Sequence, residues 1–321
     1  MTTQSPTQEG EILLKIPSIS KPCHTYYKGF GDLKSGLPPL VCLHGGPGGG
    51  HVSLLGYAEL WPRYGIPVLL YDHIGCGKST HLPEKAGDKD FWSNSLFSYK
   101  LENLLDYLEL RDGTGYHFLG QSFGGMIAPD FATSQPRGLQ RLIIASGSAS
   151  TELASQAFDE LKNQMPTEHQ KVVDEAVCNE EYESEAYKKA FDYVIKMFMC
   201  HTPSGPLPEE MAQALRNLDT DATVKNAVLG SSPFSIDGSL KGWSCIPRLH
   251  HITAPTLLQT GEFDTNGRDC SQQPFFDLIP RVRWVRLDGA GHNAHLESPE
   301  LKQKVLKLFG EFLHPSTKLR A

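Results

Sequence analysis

Three side chains far apart in the 321-residue chain could carry out acyl-transfer chemistry together: Ser122, Asp264 and His292. Ser122 lies within residues 116–125, where a short apolar run, His117-Phe118-Leu119, meets Gly120-Gln121-Ser122-Phe123-Gly124 and a helical pattern comes next. A serine raised on so sharp a strand-to-helix turn sits in a strained backbone conformation. Side chains two residues to either side would collide there, so the glycines at 120 and 124 fit the requirement. In a glycine-rich chain this pentapeptide also arises by accident, so its weight comes from its position after a strand and from the order of its partners downstream.

A serine hydroxyl is a weak nucleophile near neutral pH and needs a base. In an open sheet the partners are expected in the order nucleophile, acid, base, each just past the carboxyl end of a strand. Residues 256–260 form one strand pattern and lead into Gly261-Glu262-Phe263-Asp264. Residues 282–287 form another and lead into Asp288-Gly289-Ala290-Gly291-His292. Asp264 is thus expected to orient and charge-stabilise the imidazole, and His292 to shuttle the proton. His295 is a second candidate for the base or a pocket wall, and Asp288 or Glu262 are alternatives for the acid. The tetrahedral intermediate also needs two N–H donors for its oxyanion. The N–H of Phe123, next after the serine, is one expected donor. The other is expected from the glycine run 45–50, with Gly46 as the choice.

The elements around these residues alternate. Residues 11–16 and 24–30 suit an antiparallel pair. The apolar runs 39–43, 67–71, 117–119 and 142–145 read as buried strands, and 96–111 places Leu101, Leu104, Leu105 and Leu108 on one helical face. This rhythm predicts a mostly parallel sheet covered by helices on both faces. Between residues 150 and 247 the strands disappear and helical patterns succeed one another (151–164, 170–178, 184–200, and 208–229 in two pieces), which predicts a helical insertion. The α/β rhythm then resumes, with strands at 256–260 and 282–287 and helices at 271–279 and 298–313. The expected division is a disordered 1–10, an α/β core of 11–149 and 248–321, and a cap of 150–247. Pro129, two turns into the helix behind Ser122, is expected to kink or shorten it.

Composition excludes several classes. Charged residues at 21% and hydrophobic residues at 39% describe an ordinary soluble globular chain, and a net charge of −7 argues against a nucleic-acid binder. No apolar run reaches the length of a membrane span. The seven cysteines are scattered with no C-x-x-C spacing, so neither a disulfide framework nor a metal site is indicated, and a cytoplasmic location is expected. Gly77-Lys78-Ser79-Thr80 resembles the end of a phosphate-binding loop, but the required first glycine falls at position 72, which is Asp, and Leu82-Pro83 interrupts the helix that should come next. The stripe Tyr187, Phe191, Val194, Ile195, Met197 and Phe198 reads as helix core before it reads as a pocket lining.

With His44-Gly45-Gly46-Pro47-Gly48, Asp72-His73-Ile74-Gly75-Cys76-Gly77-Lys78-Ser79, Gly120-Gln121-Ser122-Phe123-Gly124-Gly125, Gly261-Glu262-Phe263-Asp264 and Gly291-His292 in view, the chain resembles the proline iminopeptidase family from about residue 11 to 313. The resemblance implies the α/β-hydrolase fold with an eight-stranded sheet and an inserted helical cap, a Ser-His-Asp triad, and no metal or other cofactor. It also implies a small-molecule or short-peptide substrate, with release of an N-terminal residue, often proline. Two departures stand out. The family commonly reads D-Q where this chain has Asp72-His73. The family's cap carries acidic residues that grip a free amino terminus, one in a G-P-S-E-F stretch, whereas the matching stretch here is Gly230-Ser231-Ser232-Pro233-Phe234. Glu180, Glu181, Glu183, Glu185, Glu209 or Glu210 could supply a carboxylate from elsewhere in the cap, although a solvated acidic face is the plainer reading. Substrate contacts are expected from 184–200 or the Pro233/Phe234 region. The competing reading is a hydrolase of esters, thioesters or other amides in a small-molecule pathway, and a third is a non-catalytic binding protein on the same fold.

Overall fold

In the computed structural model, which describes residues 5–314, eight strands form one sheet in the order β1-β2-β4-β3-β5-β6-β7-β8. The strands are β1 (Gln8–Leu14), β2 (Cys23–Phe30), β3 (Leu40–Leu43), β4 (Val68–Tyr71), β5 (Tyr116–Gln121), β6 (Leu139–Ala145), β7 (Thr256–Gly261) and β8 (Val282–Leu287). β1 and β2, and β2 and β4, pair antiparallel, and every other neighbouring pair is parallel. The central parallel strands are buried along their whole length, as expected when both faces are covered. Alternate residues feed two cores. Val41, Leu43, Phe118, Leu142, Ile144 and Leu258 enter one, and Leu40, Cys42, Leu119, Ile143, Ala145 and Leu257 the other.

The first face is covered by α2 (Asn94–Tyr107), α3 (Gly124–Ala132) and α9 (Asp269–Leu278), through Phe97, Leu101, Ile127 and Phe275. The second is covered by a 3-10 stretch His51–Glu59 leading into α1 (Leu60–Tyr64), and by α11 (Pro299–Leu313), which succeeds the single turn α10 (Ala294–Glu297). α3 continues through Pro129 and ends three residues later at Ala132. Between β6 and β7 the chain inserts α4 (Thr151–Lys162), α5 (Thr167–Asn179), α6 (Glu185–Val194), α7 (Glu209–Thr220) and α8 (Thr223–Val228), with no strand among them. α6 carries on into a π-helical turn, Ile195–Met199. Among the described residues, no helix is long and apolar enough to cross a membrane.

The opening differs from expectation. Residues 8–10, expected to be disordered, are the first part of β1, paired with Tyr27 to Gly29 of β2. An edge strand can be held by main-chain hydrogen bonds along one side, and the polar Gln8 and Glu9 leave no hydrophobic signal to read. Residues 1–4 of that expected disorder lie outside the described residues.

Candidate active site

The chain leaves β3 for β4 on one side and returns to β5 on the other, so the sheet has its topological switch point beside β3, where open α/β sheets place their ligands. The register aligns the carboxyl ends of the strands there: Leu43 lies opposite Gly120, Gln121 opposite Ala145, and Ala145 opposite Gln259. Loops leaving β3, β4, β5, β7 and β8 therefore meet on one rim.

Ser122 stands at the end of β5 with φ at +56°, the left-handed region that a side chain seldom adopts. Its neighbours make this possible. A Cβ on Gly120 would lie 2.2 Å from the Gly124 carbonyl oxygen, and one on Gly124 would lie 2.1 Å from that of Leu43. The glycine run after β3 is pressed against the serine, since a Cβ on Gly45 would come within 2.9 Å of the Ser122 Cβ. Ser122 is partly exposed, and among the described residues its hydroxyl has no hydrogen-bond partner. The backbone N–H groups of Gly46 and Phe123 likewise donate to no acceptor among the described residues.

His292 is held on every side. Its Nδ1 lies 2.7 Å from Oδ1 of Asp264 and 2.9 Å from the Thr265 hydroxyl. Its carbonyl accepts from Gln121 Nε2 at 2.9 Å and from the Ser146 hydroxyl at 3.1 Å, and its N–H donates to the Phe198 carbonyl at 2.8 Å. Asp264 is buried and also accepts from the N–H groups of Asn266 at 2.9 Å and Gly261 at 3.3 Å. Burial alone would raise the Asp264 pKa, but the charge and hydrogen bond of His292, with the other donors, outweigh it and hold the carboxyl below its ordinary value. Gln121, Ser146, Thr265 and Asn266 carry no motif that would single them out in the sequence. The only trace there is that Gln121 precedes the serine and that Thr265 and Asn266 come directly after the aspartate, while Ser146 leaves none.

Two of the alternatives, His295 and Glu262, are engaged elsewhere. His295 is buried, stacks on Tyr57 with centroids 4.4 Å apart, and places Nε2 2.7 Å from the Ser53 carbonyl. Burial lowers its pKa to about 4. Glu262 accepts the Gly289 N–H at 2.7 Å and is exposed, as is Asp288. The loop around Gly77-Lys78 wraps a carboxylate in place of a phosphate. Asp72 is fully buried and accepts from the His51 N–H at 2.6 Å, His51 Nδ1 at 2.9 Å and the Lys78 N–H at 2.8 Å. Burial pushes its pKa up, yet these partners prevail and bring it down to about 2.

The inserted helices close over this rim. α7 sets Asn217 Nδ2 2.8 Å from the Gly49 carbonyl and lays Leu218 against Gly48. The π turn at the end of α6 contributes the Phe198 carbonyl to His292, and its Met199 carbonyl accepts from the Asn293 N–H at 3.0 Å and from Asn293 Nδ2 at 2.8 Å. Tyr187, Phe191, Val194 and Phe198 pack with Phe158, Leu161 and Phe234 in a core of their own. Ser232 is buried and hydrogen-bonds the Tyr187 hydroxyl at 2.8 Å. Glu180, Glu181, Glu183, Glu185 and Glu209 are all exposed, the last three paired with Lys188 or Arg216, whereas Glu210 is half-buried.

Residues 40–301 match the model of the family described as "Alpha/beta hydrolase family". The proline iminopeptidase of Lactiplantibacillus plantarum is 30% identical over 278 residues, 85% of this chain and 92% of that protein. The one from Clostridioides difficile is 30% identical over 298 residues, covering 90% and 94%. Among solved structures, VinJ superposes with a TM-score of 0.86 at 33% identity, covering 96% of this chain and 100% of that one. The proline iminopeptidase of Mycobacterium smegmatis gives 0.82 at 32% identity, covering 95% and 98%.

Proposed function

The chain belongs to the alpha/beta hydrolase family and is a serine-hydrolase-type relative of proline iminopeptidase, and from that premise we propose that it releases an N-terminal residue from peptides or amides through an acyl-enzyme on Ser122. The observation that supports this most is the 2.7 Å bond between His292 and the buried Asp264, with the His292 main chain tied to Gln121, the residue before the serine. His292 takes the hydroxyl proton as Ser122 attacks the acyl carbon. The carbonyl oxygen becomes an oxyanion that accepts from the N–H groups of Gly46 and Phe123. Asp264 keeps the proton of the imidazole on Nδ1 and balances its charge. His292 then gives its proton to the leaving amine, and water releases the acyl group by the same steps in reverse order. Residues 150–247 act as the cap over this site. Seven free thiols, five of them buried, suit a reducing compartment, so we place the enzyme in the cytoplasm.

A second reading keeps the chemistry and changes the substrate. A buried ammonium calls for a carboxylate. The stretch 230–234 presents Ser232, satisfied by Tyr187, and of the cap glutamates those at 180–185 and 209 face solvent and only Glu210 is half-buried. This favours a neutral acyl donor, an ester, thioester or amide of a small molecule. One experiment separates the readings: the protein and its Ser122→Ala variant are assayed on free-amine prolyl amides, their N-acylated forms and simple esters. Preference for the free amine supports the peptidase, and indifference to it defeats that reading in favour of the second. Failure of a fluorophosphonate to label Ser122 rejects both.

A further inference from the structure

His44 comes directly after β3 and is completely buried, between the strand and the glycine run that touches Ser122. Its Nε2 lies 3.0 Å from the backbone N of His73. A main-chain N–H can only donate, so Nε2 accepts and carries no proton, and the proton of the neutral ring sits on Nδ1. Nδ1–H then donates to the Gly45 carbonyl oxygen at 2.8 Å. The tautomer is fixed by a backbone donor belonging to the next strand's loop.

The bond to Gly45 has a directional consequence. The peptide joining Gly45 to Gly46 is trans, so its C=O and N–H point to opposite sides of one rigid plane. Anchoring the carbonyl on His44 therefore aims the Gly46 N–H away from the ring. Gly46 itself, with φ at +117° and no side chain, offers little resistance to rotation of that plane. The residue that carries the second donor, Phe123, packs its ring on His73, the neighbour of His44. The His73 ring lies 4.4 Å from that of His44 and meets Phe123 edge-on at 5.7 Å.

We propose that His44 is a positioning residue for acyl transfer: its Nδ1–H, steadied by the His73 main chain, aims the Gly46 N–H as an oxyanion donor. The proposal rests on the acyl-enzyme reading given above. Burial lowers the His44 pKa to about 4, against the pull of Asp72, so the ring is neutral near neutral pH. A doubly protonated ring would turn an N–H toward the His73 N–H and lose the anchor.

Three variants test it. In His44→Asn the side-chain amide can present an N–H near the place of Nδ1. In His44→Gln the amide reaches the place of Nε2, and His44→Leu has neither group. On a cleaved ester, kcat is expected to fall about 100-fold in the Gln and Leu variants, the scale of losing one oxyanion donor, with KM within about threefold. The Asn variant is expected to recover to within about tenfold of the unmodified enzyme. The specific readout is the ratio of turnover for an ester and its thionoester, because sulfur accepts the N–H bonds poorly. That ratio should drop in Gln and Leu and hold in Asn. Equal loss in Asn and Gln, an unchanged ester-to-thionoester ratio, or a change confined to KM overturns the role of His44 while leaving acyl transfer standing. If the unmodified protein neither turns over these esters nor is labelled at Ser122 by a fluorophosphonate, the acyl-enzyme reading fails and takes the role of His44 with it. Melting temperatures identify a variant that fails to fold; if Leu does, the Asn and Gln pair still decides.

Discussion

Replacing Asp72 by Asn removes one charge from the centre of the loop that shapes the rim, and its cost can be worked out. The carboxylate is fully buried and accepts from two backbone N–H groups and the His51 ring. Desolvation raises its pKa, but the His51 hydrogen bond and charge and the Lys78 N–H more than compensate, taking it from 3.8 to about 2. At 1.36 kcal/mol per pKa unit, that difference is about 2.5 kcal/mol in favour of the folded state. Because the folded value lies below the unfolded one, the contribution is complete above about pH 4 and is lost as pH falls through 2. An Asn amide also turns an NH2 toward one of the three donors, which adds about 1–3 kcal/mol for a buried mismatch. Asp72→Asn is therefore expected to lose about 3.5–5.5 kcal/mol at pH 7, on the scale of breaking a buried pair. Urea unfolding of both proteins from pH 7 to pH 2.5 measures this. The gap between them should narrow only below pH 4. A loss under about 1 kcal/mol at neutral pH, or a gap that ignores pH, would refute the view that the charge holds the loop.

Two further changes probe the rim. Asp264→Asn is expected to keep the fold and to lower kcat about 10³–10⁴-fold, since the amide cannot satisfy the Asn266 N–H and the His292 ring while holding the Nδ1 tautomer; steady-state kinetics with circular dichroism checks this, and a loss below tenfold rejects it. Gly124→Ala places a Cβ 2.1 Å from the Leu43 carbonyl oxygen, so α3 must move; fluorophosphonate labelling of Ser122 should slow at least 100-fold or the protein fail to fold, and normal labelling would show that the close approach is dispensable.

How far each residue is legible in the sequence depends on what it needs from its surroundings. Ser122 stands out because its turn demands glycine on both sides, a demand that takes the form of the clashes a Cβ would meet at 120 and 124. The strands stand out because Leu40 to Leu43 and Val68 to Tyr71 are buried on both faces and so form unbroken apolar runs. β1 begins three residues earlier than its apolar pattern because its pairing runs through main chain and its outer face is polar. Asp72 reads in the sequence only as a residue in the wrong place for a phosphate loop. Its donors, the backbone N–H groups of His51 and Lys78 among them, are positioned by folding, and backbone groups leave no mark in a sequence. Gln121, Ser146 and Thr265 act through side chains, yet their roles around His292 depend on segments that only folding brings together.

The π turn Ile195–Met199 binds the fate of the roof to that of the imidazole beneath it. Three hydrogen bonds join its last two carbonyls to the main chain of His292 and to Asn293. Swinging the roof aside must either break those bonds or drag residue 292 off Asp264. Under the proposed mechanism a gaping molecule would then be a disarmed one, since whatever lifts the roof also loosens the residue assigned to move the proton.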